Sequence, residues 1–278
     1  MGKYLVMSCT NGEALLAPWN LSWKEYAGWR YCEIQFDSDR EYQKFMDQLR
    51  QKWTPEVSMG IKPKNFMPKA VFSDVDATLI PCESIEKLAE VKGCLDEVRN
   101  ITSLAMEGEL DFKQALDARL KLIEGLELER IQAIAQDLEP YPQVPEFVSW
   151  CHGNGIAFHM VSGGFIQMLT ILAEKLGVEH VHTNNLEFHN HKMTGQLIGA
   201  IVDAAEKRSW MLKRTKELSI SSDEVLAIGD GANDLPMIKE AGLSVGFRPK
   251  PILYPHISIL NNTGSHEFHW KLLSLESH

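Results

Sequence analysis

Cysteine is scarce and unpaired in this chain: Cys9, Cys32, Cys82, Cys94 and Cys151 are scattered through 278 residues with no Cys-x-x-Cys spacing. An odd, dispersed set in a chain of this length excludes a disulfide scaffold and points to reduced thiols. Positive charge is also short, 28 Lys and Arg against 38 Asp and Glu, for a formal net charge of -10. With no basic patch to neutralise phosphates, a nucleic-acid partner is excluded. No apolar run approaches the length of a membrane span, which excludes a membrane partner. The opening Met1-Gly2-Lys3-Tyr4-Leu5-Val6-Met7 lacks the long apolar region and small-residue cleavage site of a secretory signal. Internal repeats and low-complexity tracts are absent as well. The expected location is cytoplasmic.

A hydrophobic content of 44% and a charged content of 24% are ordinary for a globular protein, and the length suffices for one large domain or two smaller ones. A boundary is expected at Pro68, where Lys62-Pro63-Lys64-Asn65-Phe66-Met67-Pro68 reads as a linker. Residues 1–68 are then a small α+β unit of unassigned role. Strands are expected at Tyr4–Ser8, Tyr31–Phe36 and Val57–Ile61, and a helix from Asp37 to Trp53. Trp19, Trp23, Trp29 and Trp53 concentrate aromatic surface here, as a small core or less often a subunit interface, which leaves a homodimer open.

From residue 69 onward the pattern is that of an α/β protein with a mainly parallel sheet, strands alternating with helices. The apolar run from Ala70 reads as a buried strand, and it ends in Asp74-Val75-Asp76-Ala77-Thr78. Alternation sends Asp74 and Asp76 to the same side just beyond the strand, where ligands of open α/β sheets sit. Two converging carboxylates need a cation or a shared proton, and an all-oxygen site favours magnesium. A carboxylate so placed can act as a nucleophile toward phosphorus. The alternative is a turn in which Asp and Thr satisfy backbone groups. Residues 82–138 are almost entirely helical in pattern, an insertion directly after the first strand. Two later strand ends carry Ser162-Gly163-Gly164 and Gly229-Asp230-Gly231-Ala232-Asn233-Asp234. The first suits an anion cradle or a tight turn, and Asp230 with Asp234 suits either a metal or a helix cap. Lys207 lies near a helix start, where the macrodipole disfavours a cation unless an anion is bound nearby. Cys82 has no base beside it, and His180, His182, His189 and His191 lack partners at zinc spacing, so an inert thiol and a surface hairpin are expected.

In this order and spacing, Asp-x-Asp-x-Thr, Ser-Gly-Gly, Lys207 and Gly-Asp-Gly-x-Asn-Asp resemble the haloacid-dehalogenase superfamily of phosphatases, and more narrowly its phosphoserine phosphatases. The resemblance runs from about Ala70 to Pro251. It implies a Rossmann-like core with a helical cap, bound Mg2+, and hydrolysis of O-phosphoserine to serine and phosphate, the last step of serine biosynthesis. By resemblance Asp74 is the nucleophile and Asp76 the general acid and base. Asp74, Asp230 and the Asp76 backbone carbonyl hold the metal, with Asp234 fixing its surroundings. Ser162, Gly163 and Lys207 bind the phosphoryl oxygens, and Asn233 orients its neighbours. In the cap, Glu83 binds the substrate ammonium, Arg119 its carboxylate, and Met106 with Phe112 shield the site. Ala77 stands where serine or glycine is usual, and Ser73 where a larger apolar residue is. Transfer of phosphate to an acceptor such as homoserine, another small phosphomonoester, or a silent binding protein on the same fold are the competing readings.

Overall fold

The computed structural model describes residues 2–8, 13–106 and 109–275, the side chains of Glu13 and Met106 excepted. Its frame is one eleven-stranded sheet. The N-terminal part supplies β1 (Gly2–Ser8), β2 (Lys24–Tyr26), β3 (Trp29–Phe36), α1 (Asp39–Arg50) and β4 (Met59–Pro63). The run from Ala70 forms β5 (Ala70–Ser73), followed by four helices, α2 (Ser84–Lys92), α3 (Leu95–Met106), α4 (Phe112–Leu122) and α5 (Leu128–Gln136). Then come α6 (Val144–Gly153), β6 (Ala157–Phe165), α7 (Ile166–Leu176), β7 (His180–His189), β8 (Lys192–Ile198) and α8 (Ala204–Glu217). The chain closes with β9 (Val225–Gly229), α9 (Leu235–Glu240), β10 (Leu243–Phe247), β11 (Ile259–Asn261) and α10 (Glu267–Ser274).

The strand order is β2-β3-β1-β4-β11-β10-β9-β5-β6-β7-β8. From β11 to β7 every pairing is parallel, whereas β8 and the four N-terminal strands pair antiparallel. After β5 the chain adds β6 on one side and later returns to place β9 on the other. That reversal is a topological switch point, and it opens a crevice at the carboxyl ends of β5, β6 and β9.

Burial follows the strand period. Val71 faces one core cluster with Phe147, Phe158 and Met160, while Ala70 and Phe72 face the other with Val161 and Met211. Leu5 and Met7 join the first cluster and Val6 the second, so both layers continue beneath the N-terminal strands. The cap helices dock through Leu88, Val98, Leu116 and Leu120, all in the first cluster.

Several elements depart from the sequence reading. The expected boundary at Pro68 falls in the short connection between β4 and β5, and β4 pairs with β11 (Ile259 opposite Gly60), so the sheet is continuous across it. His180–His189 form one ten-residue strand, β7. Its polar middle is tied in by Asn184, whose amide donates to the Gly163 carbonyl at 2.7 Å and accepts the Val202 N–H at 2.8 Å. The strands β2 and β11 are three residues each, too short for periodicity to reveal.

One tight crossing is diagnostic. A Cβ on Gly242 would collide with the Asp223 backbone carbonyl. Gly242→Ala is expected to lower the urea unfolding midpoint by the equivalent of about 1–3 kcal/mol, measured by circular dichroism.

Candidate active site

Asp74 lies one residue beyond β5, with its N–H on the Ile228 carbonyl of β9 at 2.9 Å. The loop after it closes tightly. The Val75 carbonyl accepts from the N–H groups of Thr78, Leu79 and Ile80 at 3.2, 2.8 and 3.1 Å, and the Ala77 N–H reaches the Cys82 carbonyl at 3.1 Å. Ala77 sits at φ 55, in the left-handed region. A residue with a Cβ is strained there by roughly 1–2 kcal/mol, so the surrounding bonds hold the loop against it. This turn brings Asp74 and Asp76 to the mouth of one cavity of about 120 Å³.

The three motifs meet there. Asp74, Asp76, Ser162, Gly163, Gly164, Asp230 and Asn233 line the cavity from the sheet side, and Glu83, Phe112 and Arg119 line it from the cap. Phe112, Leu116 and Arg119 recur at helical spacing on α4, which is why one face of that helix covers the opening. Met106 ends α3, and its side chain lies outside the described residues.

Lys207 and Asp234 sit just beneath. The Lys207 ammonium is 2.9 Å from Asp74 Oδ2 and 2.8 Å from Asp234 Oδ1, all three side chains being buried. Asn233 Nδ2 donates to Asp74 Oδ2 at 3.3 Å, and the Val75 N–H to Oδ1 at 2.7 Å. Asp234 Oδ2 accepts the backbone N–H groups of Asp230 and Gly231 at 3.1 and 3.2 Å. Asp234 is thereby held by protein donors and fixes the loop that presents Asp230. Burial would push the Lys207 ammonium down, but Asp234 and Asp74 outweigh it and hold it above its ordinary value.

Burial, then the neighbouring carboxylate of Asp234, pushes Asp74 well above the usual carboxylate range, and the same two causes take Asp230 to about 7. Burial followed by Glu83 takes Asp76 to about 7, against a 2.7 Å hydrogen bond from Ser84 Oγ to its Oδ2. Glu83 is itself raised, chiefly by burial, with Lys250 and Arg119 opposing. Crowded, desolvated carboxylates of this kind are stabilised by a cation. Among the described residues, Asp74, Asp230 and Asp234 form the group able to hold one, with ligand oxygens within 4.8 Å of one another. Asp76 Oδ1 is buried with no hydrogen-bond partner. An all-oxygen donor set fits a hard divalent ion such as Mg2+.

Sequence reasoning assigned no role to Ser84 and Lys250, and read Gly164 only as part of the Ser162-Gly163-Gly164 turn. A Cβ on Gly164 would lie 2.9 Å from Ser84 Oγ and 3.2 Å from Asp76 Oδ2, so a side chain there would crowd the contact between the start of the cap and the loop after β5. The second glycine of Ser162-Gly163-Gly164 was the available signal. Lys250 lines the cavity from the loop after β10 and had none. Cys82 is pushed up to about 11 by burial and then Asp76, which leaves it a thiol. His182 pairs with Glu206 at 3.0 Å and stacks on Trp210, while His180 Nε2 accepts from Arg214 at 3.1 Å.

Comparison with known proteins gives this geometry its family, since the profile of haloacid dehalogenase-like hydrolases matches residues 71–239, more than half of the chain. The chain belongs to that family. Within it, the chain is 38% identical over 207 residues to a phosphoserine phosphatase of Albidiferax ferrireducens, covering 70% of this chain and 87% of that one. It is also 38% identical over 185 residues to a phosphoserine phosphatase of Streptomyces coelicolor, 66% of this chain but only 45% of the longer relative. A solved phospho-aspartyl intermediate analogue of phosphoserine phosphatase superposes with a TM-score of 0.66 at 33% identity, over 70% of this chain and 93% of that one. Among the described residues no helix is long and apolar enough to cross a membrane.

Asp230 provides a test of these electrostatics. Its carboxyl is raised from 3.8 to about 7 in the fold. Across that window the folded, metal-free protein keeps a proton that the unfolded chain has released, so this group's contribution to stability is lost as pH rises. In chelator, Asp230→Asn is expected to melt above wild type at pH 8, by roughly 2–4 °C per kcal/mol relieved, with the gap closing toward pH 5. Differential scanning calorimetry across pH reads it; a gap independent of pH contradicts it.

Proposed function

We propose that this hydrolase is a magnesium-dependent phosphoserine phosphatase that converts O-phosphoserine to serine and phosphate through an aspartyl-phosphate on Asp74. The observation that carries the reading is a single small cavity with two chemically distinct ends. At one end Asp74 stands beside Lys207, Asn233 and Asp230, and at the other the cap supplies Glu83 and Arg119. A phosphate fits the first end, and an ammonium with a carboxylate fits the second. The family relatives named above act as support for the same substrate.

The Asp74 carboxylate attacks phosphorus in line, forming the acyl-phosphate bond as the bond from phosphorus to the serine oxygen breaks. Asp76 gives its proton to that departing oxygen, then takes one from the water that attacks the phospho-aspartate and restores Asp74. Its carboxyl at about 7 suits both duties near neutral pH. Lys207 with the Ser162 hydroxyl and the Gly163 amide would spread charge from the phosphoryl oxygens. Mg2+ held by Asp74, Asp230 and the Asp76 carbonyl would supply electrostatic neutralisation of the nucleophile and phosphate. The cap, closing through Phe112 and Arg119, would exclude water during transfer.

Phosphate release from O-phosphoserine and a panel of other phosphomonoesters, with Mg2+ and with chelator, tests the assignment. Asp74→Asn is expected to abolish release, and near-normal turnover would sink the covalent route. Lys207→Ala is expected to lower kcat by about a hundred- to a thousand-fold. Loss of the Arg119 fork, as Arg119→Ala, is expected to raise KM for O-phosphoserine by about 10- to 100-fold and leave KM for p-nitrophenyl phosphate nearly unchanged. Equal effects on both substrates would remove the amino-acid end of the assignment.

A further inference from the structure

The family match ends at residue 239, yet a residue far beyond it touches the catalytic loop. His266 Nε2 lies 2.8 Å from the backbone carbonyl of Thr78, two residues after Asp76. A carbonyl can only accept, so Nε2 carries the proton and the ring is the neutral Nε2–H tautomer. The ring is fully buried and stacks on Phe247 at 4.1 Å, with Phe147 and His269 completing its packing. Burial outweighs the hydrogen bond to the Thr78 carbonyl, which favours the charged ring, and holds His266 down to about 4.

His266 is itself held in place from two directions. The turn before it is locked by Asn261, whose Oδ1 accepts from the N–H and Oγ1 of Thr263 at 3.1 and 2.7 Å. The Asn261 amide donates to the Ser265 carbonyl at 2.9 Å and to His269 Nδ1 at 3.0 Å. The helix that follows is α10, and it rests on the N-terminal strands. Phe268 meets Trp29 edge-on at 5.1 Å, and a Cβ on Gly60 would lie 2.5 Å from Leu272 Cδ2. The next carbonyl of the loop, that of Leu79, accepts the Tyr141 N–H at 2.9 Å.

We propose that His266 is a positioning residue for the reaction, its Nε2–H holding the Thr78 carbonyl so that Asp76 stays aimed into the cavity, and that the N-terminal strands serve as the seat for the helix that follows His266. The proposal rests on the phosphatase reading for its chemistry. The strained Ala77 and the unpartnered Asp76 Oδ1 make this the segment with most to lose from a missing tie. His266 touches no reacting atom; it acts through the loop.

The test compares His266→Phe with His266→Gln in the full chain with Mg2+. Both fill the pocket, and only glutamine can donate to Thr78. His266→Phe is expected to lower kcat by about 10-fold with KM within about twofold, and His266→Gln to recover most of the loss at a comparable melting temperature. Equal kcat for the two variants overturns the proposal. Rates are read on O-phosphoserine and on p-nitrophenyl phosphate, so a wrong substrate assignment appears as a wild-type failure on the first alone. A nitrogen-15 histidine spectrum of wild type, assigned against His266→Gln, needs neither turnover nor a foldable phenylalanine variant. It is expected to show Nε2 protonated and Nδ1 bare, with slow proton exchange; the opposite tautomer overturns the proposal.

Discussion

The Lys207 ammonium sits 2.9 Å from Asp74 and 2.8 Å from Asp234 with almost no solvent access, and the site is arranged about that triad. Removing one member of a buried ion pair leaves the others uncompensated at a cost of about 3–5 kcal/mol. The triad therefore locks three segments of the chain together: the loop after β5, the first turns of α8 and the loop after β9. It also concentrates negative charge at one point, since two carboxylates meet one cation and Asp230 stands beside them. A divalent ion held at the mouth of the cavity would neutralise that surplus.

The parallel sheet makes the triad reachable. Asp74 and Asp230 lie 156 positions apart in numbering, but β5 and β9 are direct neighbours in register, Ser73 opposite Ile228, so the residues that follow them emerge side by side. The cap then closes the space above. Glycine at position 164 lets Ser84 and Asp76 approach, and α4 turns Phe112, Leu116 and Arg119 inward. Each contribution is local, and the pocket exists where they intersect. The N-terminal strands belong to the same mechanical unit, because β4 pairs with β11 and carries α10, which leads back to Thr78 through His266.

Much of the site could be read from the chain because its chemistry is compressed into short motifs at strand ends. Asp74 and Asp76, Ser162 and Gly163, and Asp230 through Asp234 each announce themselves by residue type next to an apolar run. Glu83, Phe112 and Arg119 were reached only through the resemblance, since each alone reads as an ordinary helical residue. Lys250, Ser84 and His266 gave no signal. Lys250 sits in a proline-flanked loop, Ser84 at a helix start that many serines occupy, and His266 in a segment with no recognisable pattern. Their importance comes from neighbours remote in sequence.

The helical insertion, the alternation of strand and helix, and the acidic strand ends were set by local patterning, because hydrophobic period and turn chemistry act over a few residues. The single continuous sheet, the anchoring of Asp234 by Lys207 and backbone donors, and the tie from His266 to the loop after β5 were decided only in three dimensions. Each depends on which strands become neighbours and which polar groups are left to satisfy one another once water is excluded. That choice is made by packing across the whole fold, which no short stretch of sequence encodes.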